Sequence, residues 1–230
     1  FVIVRYSQKK KTKELILELD LLQKQMDPHF IFNALSSIQN YVLNHDRKEA
    51  YMYLSKFSKL MRNILEQSRT KQVHLDEEIE TLKLYMELEA LRTEDKFNFS
   101  VEIDKALNAS EVVIPAMFLQ PHLENAVWHG IQPLDGNGEI TLKLSKRGDS
   151  LLACIEDNGI GFKASVAENL KKSKQHRSAA RQIAEERIEL YNSQHNKPMQ
   201  MRLIDLSDQG EGKSGTLVEL LFPVFEQKVA

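Results

Sequence analysis

Phe97-Asn98-Phe99-Ser100-Val101-Glu102-Ile103 alternates apolar and polar residues over its whole length, the side-chain period of a strand with one face buried and the other in water. Four later stretches repeat it: Ile140, Leu142 and Leu144; Leu152 and Cys154; Met199, Met201 and Leu203; Val218, Leu220 and Phe222. These are five strand candidates. The segments on either side of Arg147-Gly148-Asp149 are expected to pair as a hairpin. The stretches from Pro115 to His129 and from Ala179 to Gln194 are expected to be helices covering one sheet face. Glycine agrees, since none of the nine precedes Gly130 and glycine is costly inside helices but needed at turns and close backbone approaches.

Upstream the period is helical. Leu15, Leu19, Leu22 and Met26 form a short four-three seam, and Ile31, Leu35, Ile38 and Val42 repeat the spacing. After the Asn44-His45-Asp46 break, Leu54, Phe57, Met61 and Ile64 mark a second amphipathic helix, so the two are expected to form a helical hairpin. Such a hairpin buries too little alone, and a second copy completing a four-helix bundle would cover its apolar faces. A further helix, from about Leu75 to Leu91, has Ile79, Leu82 and Met86 on one face and Leu84, Leu88 and Leu91 on another, as expected of an element between two cores. The fold class is therefore α+β: an all-helical module followed by an α/β sandwich of about 135 residues.

Length and composition fit two modest cores: 230 residues, 42% hydrophobic and 28% charged. The formal charge of −2 gives no basic excess for nucleic acid. Cys154 is the single cysteine and cannot form an internal disulfide, which favours a reducing compartment. Phe1-Val2-Ile3-Val4-Arg5-Tyr6 runs into Lys9, Lys10, Lys11 and Lys13, the pattern of the cytoplasmic flank of a membrane span and equally that of a basic helix start behind an apolar stub.

Three segments carry chemistry. In Gln25-Met26-Asp27-Pro28-His29-Phe30-Ile31-Phe32-Asn33 a histidine directly follows proline at the first turn of an amphipathic helix. The backbone there is constrained while the ring can remain in water, and near neutral pH one ring nitrogen offers a lone pair. A lone histidine at a helix start is more often incidental. In Ile114 to Gly130, α-helical spacing puts Pro121, Asn125 and His129 on one stripe with Glu124 beside it. Asn125 can give Mg²⁺ an oxygen without adding charge that repels phosphate, and Glu124 and His129 can reach the same ion or phosphates; a capped helix end is the plainer meaning. In Glu156-Asp157-Asn158-Gly159-Ile160-Gly161-Phe162 an acid at a strand end can accept a hydrogen bond from an exocyclic amine while the glycines let a purine lie against the backbone. An everyday turn has the same composition.

In this order the three segments resemble the LytS-type branch of two-component sensor histidine kinases, whose ATP domain is of the GHKL class. Residues 25–33 resemble its phosphoacceptor box, 114–130 its N-box and 157–161 its first glycine box; Tyr85-Met86-Glu87-Leu88-Glu89-Ala90-Leu91-Arg92 with Asp95-Lys96-Phe97 matches its connecting region. The resemblance covers roughly residues 18 to 224. It implies that His29 takes the γ-phosphoryl group of ATP, Asn125 holds Mg²⁺ and Asp157 recognises the adenine amine. Gly159 and Gly161 would line the nucleotide, Glu124 and His129 would stand near metal and phosphates, and Gly215-Thr216 resembles the final glycine box. It also implies residues 1–24 as a basic, coiled-coil linker near the membrane, 25–94 as the dimerisation and phosphotransfer domain and 95–230 as the ATP-binding domain. The partners would be a second copy and a response regulator's receiver domain. The expected location is the cytoplasmic face of the inner membrane, with an anchor N-terminal to residue 1.

Two features depart from the commoner kinase pattern. Phe30, not an acid, follows the phosphoacceptor, as in this branch, which leaves Asp27 as a poorly placed base. Where relatives place a second glycine box, this chain has Ser178-Ala179-Ala180-Arg181-Gln182-Ile183 before Arg187-Ile188, and alanine permits close backbone approach less freely. The nearby run of Lys171, Lys172, Lys174, Arg177 and Arg181 suits phosphate contact or a solvated loop. Two other classes remain: a non-catalytic dimeric scaffold with a degenerate pocket, and a GHKL ATPase clamp with Glu124 as base and no need of His29.

Overall fold

The computed structural model describes residues 47–67, 70, 72–171, 186–193, 198–210, 212–223 and 225–226. His29 and its box, the first helix of the expected hairpin and the side chains of the basic run 171–181 lie outside these residues. The chain divides into two compact units, Phe1–Ser68 and Arg69–Ala230.

In the first unit the described element is helix α1, Arg47–Gln67. It buries Tyr53, Leu60 and Ile64. Leu54, expected on the buried stripe, is instead 46% exposed, as are Tyr51, Met52 and Leu65 to similar or greater extent. Of the expected stripe, Ile64 is buried and Phe57 and Met61 are half-buried, and Tyr53 and Leu60 are buried beside them.

The second unit opens with β1 (Gln72–His74), which leads directly into helix α2 (Leu75–Arg92). Asp76, Glu77 and Glu78 in the first turn and Arg92 in the last suit the helix dipole. Glu94 and Asp95, both at positive φ, end the helix. Helix α2 leaves the stripe of Asp76, Glu80, Lys83 and Glu87 exposed, buries most of the rest of its circumference, and packs on β1 and on the strands Phe97–Ile103 and Val112–Pro115. By packing it goes with the sheet, whereas the sequence assigns it to the segment 25–94.

All five expected strands form, in one sheet ordered β2-β4-β5-β7-β6: β2 Phe97–Ile103, β4 Gly138–Arg147, β5 Ser150–Asp157, β6 Gln200–Asp205 and β7 Thr216–Pro223. The expected hairpin is present, with β4 and β5 antiparallel and Arg147 opposite Ser150. Strands β2 and β4 are parallel, joined by a crossover that contains β3 (Val112–Pro115) and helix α3 (Gln120–Asn125). A small antiparallel sheet, β1-β3-β8 with β8 at Phe225–Glu226, was not evident from periodicity.

Ile140, Leu142, Leu144, Leu151, Ala153, Ile155, Leu220 and Phe222 form a buried sheet face. Leu123, Val127 and Ile131 are buried on the α3 side of this core. Helix α3 begins five residues later than Pro115, because Met117 turns the chain at φ 55°. It ends in a π-helical turn, Ala126–Ile131. Helix α4 spans Phe162–Lys171, and residues 186–193 form helix α5.

Candidate nucleotide site

Sheet register assembles the site. Asp157 at the end of β5 pairs with Thr216 at the start of β7, and Thr216 pairs in turn with Asp205 at the end of β6. Three polar residues thus share one row at one sheet end, where the strands give way to turns.

Asp157 is 4% exposed. Its Oδ1 accepts the backbone N–H of Gly159 at 2.9 Å and of Thr216 at 3.3 Å. Burial raises its carboxyl to about 6; the two backbone donors oppose that rise, while Asp205 and Glu156 reinforce it. Both donors use the same oxygen, leaving Oδ2 uninvolved in either bond and suited to an incoming N–H donor.

The end of the N-box presses onto this acid. A Cβ on Gly130 would lie 2.7 Å from Asp157 Oδ1, and a Cβ on Gly159 would lie 2.3 Å from the Gly130 carbonyl carbon. Gly130 O accepts the N–H of Ile160 at 3.1 Å, fastening the two segments together. The first glycine of the Gly-x-Gly pair is therefore required by protein packed against protein. Gly161 turns at φ +83°, and its carbonyl accepts the N–H of Ser165.

Asp205 serves this turn from β6, on the far side of β7. Its Oδ2 accepts the N–H of Lys163 at 2.7 Å at the start of α4, and its Oδ1 accepts Ser207 Oγ at 2.6 Å and Ser207 N–H at 3.1 Å. Partial burial pushes its carboxyl up, but these donors and the Lys163 charge outweigh that and hold it below its ordinary value. Sequence reasoning missed Asp205; the signal was an acid closing a strand, as at Asp157. Gly215 and Thr216 stand at the start of β7, with Gly215 over the Asp157 carbonyl.

On the helix side, Glu124 and Asn125 are the last two residues of α3 and both are partly exposed. Glu124 Oε1 accepts Gln120 Nε2 at 2.9 Å, and the Tyr85 hydroxyl donates to the same carboxylate. His129 sits within the π turn, whose wider loop rotates it away from the strict Pro121-Asn125 stripe. Its backbone carbonyl accepts Ser165 Oγ at 2.8 Å, tying the N-box to α4.

The start of the N-box is braced from beneath. Glu78, fully buried on α2, accepts the N–H of Met117 at 3.1 Å through Oε2, and burial lifts its carboxyl to about 7 against the pull of backbone donors and Arg187. Arg187 on α5 donates to the carbonyls of Ala116 and Met117 at 3.1 and 3.2 Å. Acid and guanidinium thus hold opposite polar groups of the strained turn.

A family model described as histidine kinase matches residues 17–97. The chain is 32% identical over 155 residues to the sensor histidine kinase YpdA of Escherichia coli, covering 67% of this chain and 26% of that protein. It is 29% identical over 221 residues to the sensor protein LytS of Oceanobacillus iheyensis, covering 93% of this chain and 36% of that one. The solved mycobacterial sensor histidine kinase MprB aligns at 14% identity and a TM-score of 0.47, over 68% of this chain and 98% of that one. The matched segment holds the His29 box and the Tyr85–Arg92 region. Over residues 17–97 the chain matches the histidine kinase family, and the proteins it is similar to include LytS-type sensor proteins. The chain spans between 26% and 36% of the length of these two relatives.

Proposed function

We propose that this chain is the phosphotransfer and ATP-binding portion of a homodimeric sensor histidine kinase. It moves the γ-phosphoryl group of Mg-ATP to His29 and then to an aspartate of a response regulator. The observation that carries this reading is Asp157: a buried acid at a strand end, clamped under Gly130, with one oxygen held by two backbone donors and the other available to an adenine amine.

Each residue has a task in it. Asp157 orients the base, and the turn through Gly159 and Gly161 together with Gly215-Thr216 bounds the nucleotide. Asn125 offers its amide oxygen to Mg²⁺, with Glu124 and His129 beside the phosphates. No group of three acid, histidine or cysteine ligands comes together among the described residues. The ion would accordingly take most of its ligands from phosphate and water, as Mg²⁺ usually does. When bound, it neutralises charge on the transferring group.

His29 attacks phosphorus through its free ring nitrogen. The N–P bond forms as the P–O bond to the β-phosphate breaks and ADP leaves, and the imidazole gives up its remaining N–H proton to a base. Phe30 supplies none. Phosphoryl transfer depends mainly on positioning and charge neutralisation, so an ATP domain that presents Mg-ATP to His29 suffices. The exposed Tyr51, Met52, Leu54 and Leu65 of α1 support a dimeric bundle, since soluble monomers avoid large apolar patches. No helix among the described residues is long and apolar enough to cross a membrane.

Incubation with γ-labelled ATP beside a His29→Gln variant tests the reading. The expected label is stable in base, lost in acid and absent from the variant. No label in either chain favours the scaffold, and phosphate release that survives His29→Gln favours an ATPase clamp.

A further inference from the structure

Helix α2 meets the N-box helix on two successive rungs. On the first, the Tyr85 hydroxyl donates to the Glu124 carboxylate, which also accepts Gln120 Nε2 at 2.9 Å. On the second, the Arg92 guanidinium carbon lies 3.9 Å from the centre of the Trp128 ring, and the Glu89 carboxylate accepts Arg92 Nη2. Tyr85 to Arg92 is two helical turns and Glu124 to Trp128 is one, so one face of α2 grips one face of the N-box. Tyr85 and Glu89 are each 1% exposed.

Such burial is costly for a phenol, two acids and a guanidinium unless they pair. An apolar α2 face would pack the helix as well without that cost. The polar face is turned toward residues with chemistry to perform: Glu124 adjoins Asn125, and Trp128 adjoins His129. Burial, with the two neighbouring acids, also pushes the Tyr85 hydroxyl well above its ordinary range, so it remains a donor at any working pH.

We infer that Tyr85 is a positioning residue for phosphoryl transfer, fixing the Glu124 carboxylate beside the metal and phosphates, while Glu89 and Arg92 brace Trp128 and the His129 turn. The inference rests on the reading of the N-box as the Mg-ATP site and adds to it a role for the connecting segment. Two donors, from Tyr85 and Gln120, leave the carboxylate one orientation. Loss of the phenol hydroxyl frees it to rotate while the ring still fills the core.

The test compares the parent, Tyr85→Phe, Glu124→Gln and the double variant, with initial labelling rates at saturating Mg-ATP and ADP affinity measured without metal. Tyr85→Phe is expected to slow labelling about tenfold or more, the loss of one hydrogen bond to a charged group, and to leave ADP affinity within about twofold. A residue that acts through Glu124 has nothing left to position in Glu124→Gln, so the double variant should match Glu124→Gln within about twofold. A Tyr85→Phe rate within twofold of the parent overturns the inference. So does a Glu124→Gln chain as fast as the parent, or a double variant slowed by the product of the two single losses.

Trp128 is the chain's single tryptophan, which provides an independent reading. Arg92→Met removes the cation from over the indole. It is expected to change Trp128 emission and to lower the labelling rate more than ADP affinity; no change in emission or rate overturns the brace. A parent chain that neither binds ADP nor labels brings down the functional reading and the inference together. A parent that does both, beside a Tyr85→Phe chain with the parent's rate, brings down the inference alone.

Discussion

Asp157 and Asp205 flank Thr216 in the same row of the same sheet, yet the fold drives their carboxyls in opposite directions. Asp157 is raised to about 6 by burial that two backbone donors on one oxygen only partly offset. Asp205 stays below its ordinary value because Lys163 N–H and both donors of Ser207 load its two oxygens beside the Lys163 ammonium. A strand-end position alone therefore sets no charge state; the donors aimed at it and the solvent left to it do. Asp205 has one oxygen committed to the turn that opens α4 and the other to Ser207 in the turn after its own strand. Asp157 keeps capacity in reserve, which is what a recognition residue needs.

The most severe way to break this row is Gly215→Ala. Its Cβ would fall 1.9 Å from the Asp157 carbonyl oxygen, on a backbone at φ +117°. Overpacking and strain together should cost about 3 kcal/mol or more in denaturant unfolding. ATP affinity should fall with the displaced acid.

Asp157→Asn separates recognition from stability. Loss of a charged hydrogen bond of about 1.5–3 kcal/mol should weaken ATP roughly ten- to a hundredfold, and GTP less. Stability should move the other way, because a carboxyl held at about 6 against an ordinary 3.8 favours the protonated fold. The parent therefore gains stability as pH falls from about 6 toward 3.8, while ATP affinity declines over the upper part of that interval as the acceptor is protonated. Parallel ATP titrations and thermal melts at pH 5 and pH 8 check both signs. Affinity that holds at pH 5 would remove Asp157 from adenine recognition.

Asp205→Asn should have the smallest effect. Asparagine keeps one acceptor oxygen, so only part of the bonding to Lys163 and Ser207 is forfeited, worth about 1 kcal/mol of unfolding free energy. The parent's contribution from Asp205 is present above the ordinary carboxylate range and is lost as pH falls through its lowered value. Removing this like charge should also move the pH midpoint of ATP binding downward, since Asp205 helps to raise Asp157.

Alternating stretches of five or more residues, such as 97–103 and 218–222, were legible because one buried face imposes period two. The three-stranded sheet was not, as β1, β3 and β8 have three, four and two residues, too few for a period to emerge. Its register comes from tertiary pairing, such as Val73 opposite Ile114. The helix expected from Pro115 starts late because Met117 takes positive φ, and a β-carbon-bearing residue announces no such turn in sequence. Asp157 was visible through the glycines beside it. The Tyr85–Glu124 contact joins residues 39 positions apart, and only packing brings them together.

Glu78 beneath the Met117 turn ties the chain's energetics to its solvent. An isolated glutamate has lost most of its proton by pH 6, whereas the folded chain, holding this carboxyl at about 7, keeps it. Folding near pH 6 therefore withdraws close to one proton from solution at this site. The apparent unfolding enthalpy of this chain will then depend on the ionisation heat of the buffer. Melting curves gathered in different buffers at the same pH would differ in heat although every residue and contact is the same.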